Sequence, residues 1–166
     1  VSNLISKSIK PKSTDLPVTA AEVKTDLRVD YPLTDTQIEN YIRSSIQRIQ
    51  NLTCLVLVPS EVTTIYKQYG CGDQVSLGYA NDIKPDTLEG TDGTLIGAGE
   101  QWYLQTTEQL VTLKYDAGYE TLPDWARQAI ILDVAWRLEH YGDDETKQYS
   151  PEMMALIEPF KAYIPI

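Results

Sequence analysis

The strongest periodic signal in the chain is an apolar stripe within "PLTDTQIENYIRSSIQRIQNL", residues 32–52. Ile38, Tyr41, Ile42, Ser45, Ile46, Ile49 and Leu52 recur at helical spacing, while Glu39, Asn40, Arg43, Gln47 and Gln50 fall outside the stripe. That pattern predicts a helix that buries one face. Thr34, with Gln37 three residues on, reads as a capping box, in which each side chain satisfies a backbone amide left over at the helix start. Thr19 and Glu22 repeat the device ahead of a shorter helix, with Val23 and Leu27 one turn apart.

After residue 54 the period changes. Leu55 to Val58 is a short apolar run stopped by Pro59, and "EVTTIYKQY" has the β-branched and aromatic character of a strand. From Gly70 to Gly99, glycine, aspartate and asparagine recur around Pro85, a composition that makes turns. Val111, Leu113 and Tyr115 then alternate with Thr112, Lys114 and Asp116, predicting a strand with one buried face. Gly118 is expected to end it by adopting a backbone angle that other residues avoid.

Pro123 suits a first helical turn, where its missing amide hydrogen costs nothing, and Asp124 is favourable beside the helix dipole. The helix that follows carries two apolar stripes: Trp125, Ala129, Leu132 and Trp136, and nearly opposite them Ile130, Val134, Leu138 and Tyr141. A helix apolar on two sides needs cover on two sides. Either it is the central helix of the monomer, or one stripe meets a neighbouring subunit. A last short helix, "SPEMMALIEPF", starts behind Ser150 and Pro151 and leads into the apolar tail "KAYIPI". Residues 1–17 are polar and without period, and are expected to form a flexible or partner-ordered arm. The expected fold class is therefore α+β. A helical body of about four helices forms one domain over residues 18–166, with a β-rich, loop-rich insertion at about 55–116 between the second and third helices.

Composition narrows the function classes. The net charge is −10, and the fourteen basic residues are scattered apart from Lys7, Lys10 and Lys12. Phosphate binding needs clustered cations, so direct nucleic-acid recognition is not expected. Eleven Tyr against one Phe is a mild sign of an interface, because Tyr suits surfaces wet in one state and buried in another. Cys54 and Cys71 have no metal spacing and only His140 to join them. They read as ordinary thiols of a reducing compartment, with a single disulfide as the alternative. "VSNLISKSIK" lacks the apolar core of a signal peptide, and no apolar run reaches membrane-span length. A soluble protein, intracellular during synthesis, is the expectation.

The search for chemistry is mostly negative. Gly70-x-Gly72 and Gly97-x-Gly99 each lack the third glycine of a dinucleotide fingerprint and read as turns. His140 reads as a surface residue at a helix end. Asp82, Asp86, Glu89 and Asp92 fall in one loop, but Lys84 stands where a calcium loop needs an oxygen, so a solvated acidic loop is expected. Asp133 and Arg137 have the spacing of a structural ion pair within a helix. No catalytic residue, metal or cofactor is expected, and the chain is not read as an enzyme.

Four pieces in order carry a resemblance: "PVTAAEVKTDLRVD", "DTQIENYIRSSIQRIQNLT", "YDAGY" leading into "PDWARQAI", and "LIEPFKAY". Together they resemble the head-to-tail connector family of tailed bacteriophages, also called head-completion or adaptor proteins. The acidic "HYGDDE" departs from that family, whose central helix usually ends in an aromatic followed by an Arg-Glu segment. The resemblance implies a structural virion protein located in the neck, present in the host cytoplasm during assembly. Its implied partners are the portal protein, copies of itself in a closed ring (a dodecamer), and a tail or neck completion protein. DNA would pass through the ring without sequence-specific binding, and no membrane is involved.

On that reading, Phe160, Tyr163, Ile164 and Ile166 are candidates for the portal contact, unless this apolar tail packs on its own core. Trp125, Ile130, Val134, Arg137 and Tyr141 are candidates for the contact between subunits. The reading from a different class is a small-ligand or carbohydrate-binding module, a phage tail accessory or secreted binder. Tyr66, Tyr69, Tyr79, Trp102 and Tyr103 would then stack on sugar rings.

Overall fold

The computed structural model of the protein describes residues 2–27, 33–68, 73–76, 83–90, 92–98, 101–140 and 149–161. The fold is α+β. Where the sequence suggests one domain, the chain divides into two compact units. One holds Val58–Glu120 together with the N-terminal strand, and the other holds Asp15–Leu57 and Thr121–Lys161.

The second unit is helical, with α1 (Ala20–Leu27), α2 (Asp35–Thr53), α3 (Asp124–Glu139) and α4 (Pro151–Ile157), the last followed by a 3-10 turn at Glu158–Phe160. Both capping boxes form. The Glu22 amide donates to Thr19 Oγ1 at 3.2 Å, and the Thr19 amide donates to Glu22 Oε2 at 2.7 Å. The Gln37 amide donates to Thr34 Oγ1 at 3.3 Å, and the Thr34 amide returns a bond to Gln37 Oε1 at 3.0 Å. Ser150 starts α4 by accepting from the Met153 amide at 3.2 Å.

α2 buries Ile38, Ile42, Ser45, Ile46 and Ile49 as its stripe requires. Gln50, outside the stripe, is buried as well, because its Oε1 accepts from the Leu57 amide at 2.8 Å and so pins the chain that leaves the helix. α2 stops at Cys54, whose φ of 61° is left-handed. Pro123 proves to be the residue just before α3, at φ −60°, one position earlier than expected. α3 buries one face rather than two: Ala126, Ala129, Ile130, Asp133 and Val134. Trp125, Leu132 and Trp136 keep part of their surface.

The other unit is built from β1 (Ser2–Pro11), β2 (Ser60–Gln68), β3 (Asp73–Ser76), β4 (Lys84–Gly90), β5 (Thr94–Ala98), β6 (Gln101–Thr106) and β7 (Leu110–Ala117). An antiparallel sheet runs in the order β1-β2-β7-β4, and a smaller one in the order β3-β6-β5. Val62, Thr64 and Tyr66 of β2 and Val111, Leu113 and Tyr115 of β7 bury the same face, the period-two pattern the sequence shows for β7. The apolar run at Leu55–Val58 is not a strand; it is connecting chain whose Val56 and Leu57 are buried.

Residues 2–11 differ from expectation most. Instead of a patternless arm they form β1, paired along β2 with a register shift between Leu4 and Ser6. The reason no period announces this strand is that no side chain from Leu4 to Pro11 is buried. It is held by its backbone ladder to β2 and, just beyond it, by the ion pair of Lys12 with Asp116 on β7. Gly118 ends β7 at φ +110°, and a Cβ there would lie 2.2 Å from the Val58 carbonyl oxygen. Only glycine meets both conditions.

Candidate interaction site

The helical unit concentrates its buried charge between α2 and α3. Asp133 on α3 is fully buried. The Ser45 hydroxyl of α2 donates to its Oδ2 at 2.7 Å, and Arg48 Nη2, one turn along α2, stands 3.6 Å from its Oδ1. The Arg48 guanidinium also lies 4.7 Å over the Tyr149 ring. The ion pair expected between Asp133 and Arg137 is not the one that forms, because the Asp133 carboxylate is engaged by α2.

Arg137 takes a different position. Its guanidinium lies 4.7 Å over the ring of Tyr41. Nη1 is buried and has no hydrogen-bond partner among the described residues. Burial pulls the pKa of this guanidinium down, the Asp133 charge opposes that shift, and Arg48 adds to it. A cleft of about 590 Å³ adjoins it, lined by Leu33, Gln37, Asn40, Tyr41, Arg137, Leu138 and Glu139. Its walls are the start of α2 and the last turn of α3. Its lining offers a guanidinium, two amide groups, a phenol and a carboxylate.

The residues singled out in the sequence fall in different settings. Ile130 and Val134 are fully buried within the helical unit, so these two side chains serve the chain's own core. Trp125 and Arg137 are half-buried. Phe160 is 38% exposed and stacks on Trp125, with ring centroids 4.2 Å apart and planes 7° from parallel. Tyr141, Tyr163, Ile164 and Ile166 lie outside the described residues.

Tyr66, offered as a sugar platform, is instead a core residue of the sheet unit, 4% exposed. Its hydroxyl is unpartnered among the described residues, and burial pushes its pKa up to about 12. Tyr103 is half-buried, while Tyr69, Tyr79 and the Trp102 side chain are outside the described set. The stacking surface therefore loses a central member.

His140 is half-buried at the end of α3, its Nδ1 2.8 Å from the Trp136 carbonyl oxygen and its ring stacked on Trp136. Asp86, Glu89 and Asp92 are exposed, and Asp82 and Cys71 lie outside the described residues. Cys54 is a free thiol. Among the described residues, no three His, Cys, Asp or Glu side chains converge as metal ligands, and no helix is long and apolar enough to cross a membrane. The Ser45–Asp133–Arg48 cluster and the Arg137–Tyr41 stack escape the sequence reading. The available signal was a serine inside an apolar stripe, which asks for a polar partner on the facing helix.

No protein-family model matches the chain, and no curated protein matches it by sequence. Solved structures do. A chain in the neck of an empty gene transfer agent (GTA) particle, computed with C6 symmetry, is 19% identical with a TM-score of 0.69, covering 96% of this chain and 97% of that one. A chain in the virion of a native GTA particle is 18% identical with a TM-score of 0.69, over 95% and 97% of the two chains. A chain in the neck of a native GTA particle, computed with C12 symmetry, is 20% identical with a TM-score of 0.67, over 100% and 97%. Along nearly its whole length, then, this chain has the fold of a chain from the neck of a gene transfer agent particle.

Proposed function

We propose that this chain is a structural, non-enzymatic subunit of the neck of a tailed-phage-like virion, assembling in the host cytoplasm as an adaptor between portal and tail. The observation that carries the reading is coextensive likeness: 95–100% of this chain matches 97% of chains from necks or virions of gene transfer agents. Two of those necks were computed with C6 and C12 symmetry, which supports a closed ring of copies, a dodecamer in this reading. Ring contacts are heterologous, so each subunit needs two unlike adhesive surfaces. Trp125 and Arg137 keep the exposure such a contact requires, and Phe160, with Tyr163, Ile164 and Ile166 beyond it, is the candidate for the portal.

Charge supports the same role. A wall of subunits each carrying −10 repels DNA, which suits a channel that DNA must pass without adhering. Electron microscopy of the purified chain, alone and mixed with the portal of its own particle, tests the reading. Rings, or portals capped by an added layer, are expected. A chain that stays monomeric and never joins the portal overturns it.

A further inference from the structure

The four-stranded sheet ends in two free edges. β1 and β4 are its outer strands, and neither pairs on its far side among the described residues. A strand so placed shows a row of backbone donors and acceptors that can take a further strand. Side-chain charge is sorted toward the same two edges. Lys114 pairs with Glu61, Lys12 with Asp116 and Lys84 with Glu120. Left over are Lys10 on β1 and Asp86 and Glu89 on β4, all exposed and none in an ion pair among the described residues. Lys10 stands opposite Glu61, and Glu89 opposite Lys114, so both lie on the sheet face that carries the Glu61–Lys114 ion pair.

We propose that β1 of one copy of this chain pairs antiparallel with β4 of the next, so that the four-stranded sheet runs on from subunit to subunit. The pairing rests on the ring reading above and gives it its contact surface. Charge selects the partner. β1 carries Lys7 and Lys10 and no acidic residue, so β1 against β1 sets lysine against lysine. β4 against β4 sets Asp86 and Glu89 against themselves, whereas β1 against β4 is attractive. Each edge rejects itself and accepts the other, which is the unlike pair of surfaces that a heterologous contact requires.

Topology fits the same pairing. Because every pairing in this sheet is antiparallel, β1 and β4 run in opposite directions. Neighbours in a ring of many copies differ by a small rotation. β4 of one copy therefore meets β1 of the next in the antiparallel sense that the sheet already uses. Pro85 has no amide hydrogen to give, which confines the new ladder on β4 to residues 86–90. Lys10 and Glu89, on one face, are the cross-strand charge pair of that ladder.

Hydrogen exchange on the unmodified chain is the first arm of the test, read before and after assembly, alone or on the portal of its own particle. In rings the amides of β1 and β4 are expected to slow at least about tenfold, while those of β3 and β5, the edges of the smaller sheet, keep their rates. A crosslink is the second arm. In a chain with Cys54→Ser and Cys71→Ser, the pair Lys10→Cys and Glu89→Cys is introduced. The assembled protein is treated with a thiol-to-thiol reagent shorter than the roughly 14 Å that three strand spacings put between the two positions within one subunit. A ladder of linked subunits on a denaturing gel is expected, and either substitution alone is expected to give none.

Rings in which β1 and β4 exchange as fast as in the unassembled chain overturn the proposal and leave the ring reading standing. Rings that yield linked dimers from Lys10→Cys alone do the same, because β1 then meets β1. A chain that forms no ring overturns both.

Discussion

The Ser45 hydroxyl donates to Asp133 Oδ2 across 2.7 Å, and both residues are fully buried. A carboxylate in that position has no water to turn to, so its hydrogen bond and its ion pair with Arg48 are what keep it tolerable. Removing the acid takes the carboxylate partner from Arg48 and the hydrogen-bond acceptor from Ser45 in the same seam. Asp133→Ala is therefore expected to cost about 3–5 kcal/mol, and Ser45→Ala about 1.5–3 kcal/mol, the range for a hydrogen bond to a charged group. Urea denaturation of the two variants checks this. A Ser45→Ala effect as large as that of Asp133→Ala would show that the hydroxyl, not the charge network, holds the helices.

Gly118 supplies a backbone test in the sheet unit. Its φ of +110° disfavours any L side chain, and the Val58 carbonyl blocks a Cβ at 2.2 Å. Gly118→Ala is expected to destabilise by at least about 1–3 kcal/mol, the cost of holding a residue in a disfavoured backbone region. Equilibrium denaturation reads the loss. A neutral substitution would mean that the turn after β7 is built differently.

Both helix starts were legible because a capping box is a local code: Thr19 with Glu22, and Thr34 with Gln37, need nothing beyond three residues of spacing. β7 was legible because one of its faces is buried and the other is not. β1 was not, because a strand with no buried side chain from Leu4 to Pro11 leaves no period to read. Of the two apolar stripes of α3, one is taken into the chain's own core and the other keeps part of its surface. What periodicity does not show is the seam with α2, which buries Asp133, a residue that the pattern assigns to water. Of the candidate surfaces, Trp125 and Arg137 were named from sequence, but the partners that give them meaning, Phe160 and Tyr41, come from distant parts of the chain.

Tyr115 separates volume from polarity in the sheet core. It is 1% exposed, and its hydroxyl has no hydrogen-bond partner among the described residues. Tyr115→Phe keeps the ring and removes an unsatisfied polar atom, so stability is expected to be unchanged or higher. Tyr115→Ala opens a cavity and is expected to cost about 3–5 kcal/mol, the range for large aromatic truncations. Thermal and urea unfolding of the pair checks both. A loss of more than about 1 kcal/mol in Tyr115→Phe, a typical net hydrogen-bond contribution, would reveal a partner for the hydroxyl.

Tyr66 and Tyr115 together set an alkaline limit on the sheet unit. Burial pushes Tyr66 up to about 12, against the opposing influence of the neighbouring Thr64 hydroxyl. Tyr115 is pushed up as well, first by burial and then by its proximity to Tyr66. In the unfolded chain both ionise near the ordinary tyrosine value of about 10. Above that pH the unfolded state releases protons that the folded state retains, so stability falls as pH rises. The slope is at most about 1.4 kcal/mol per pH unit for each tyrosine, and neither contributes a slope well below pH 10. Denaturation midpoints compared between pH 9 and pH 11.5 are expected to fall steeply in the wild type and less steeply in Tyr66→Phe. In Tyr66→Phe/Tyr115→Phe the fall from these two groups should disappear. An unchanged slope in the double variant would assign the alkaline transition to other residues.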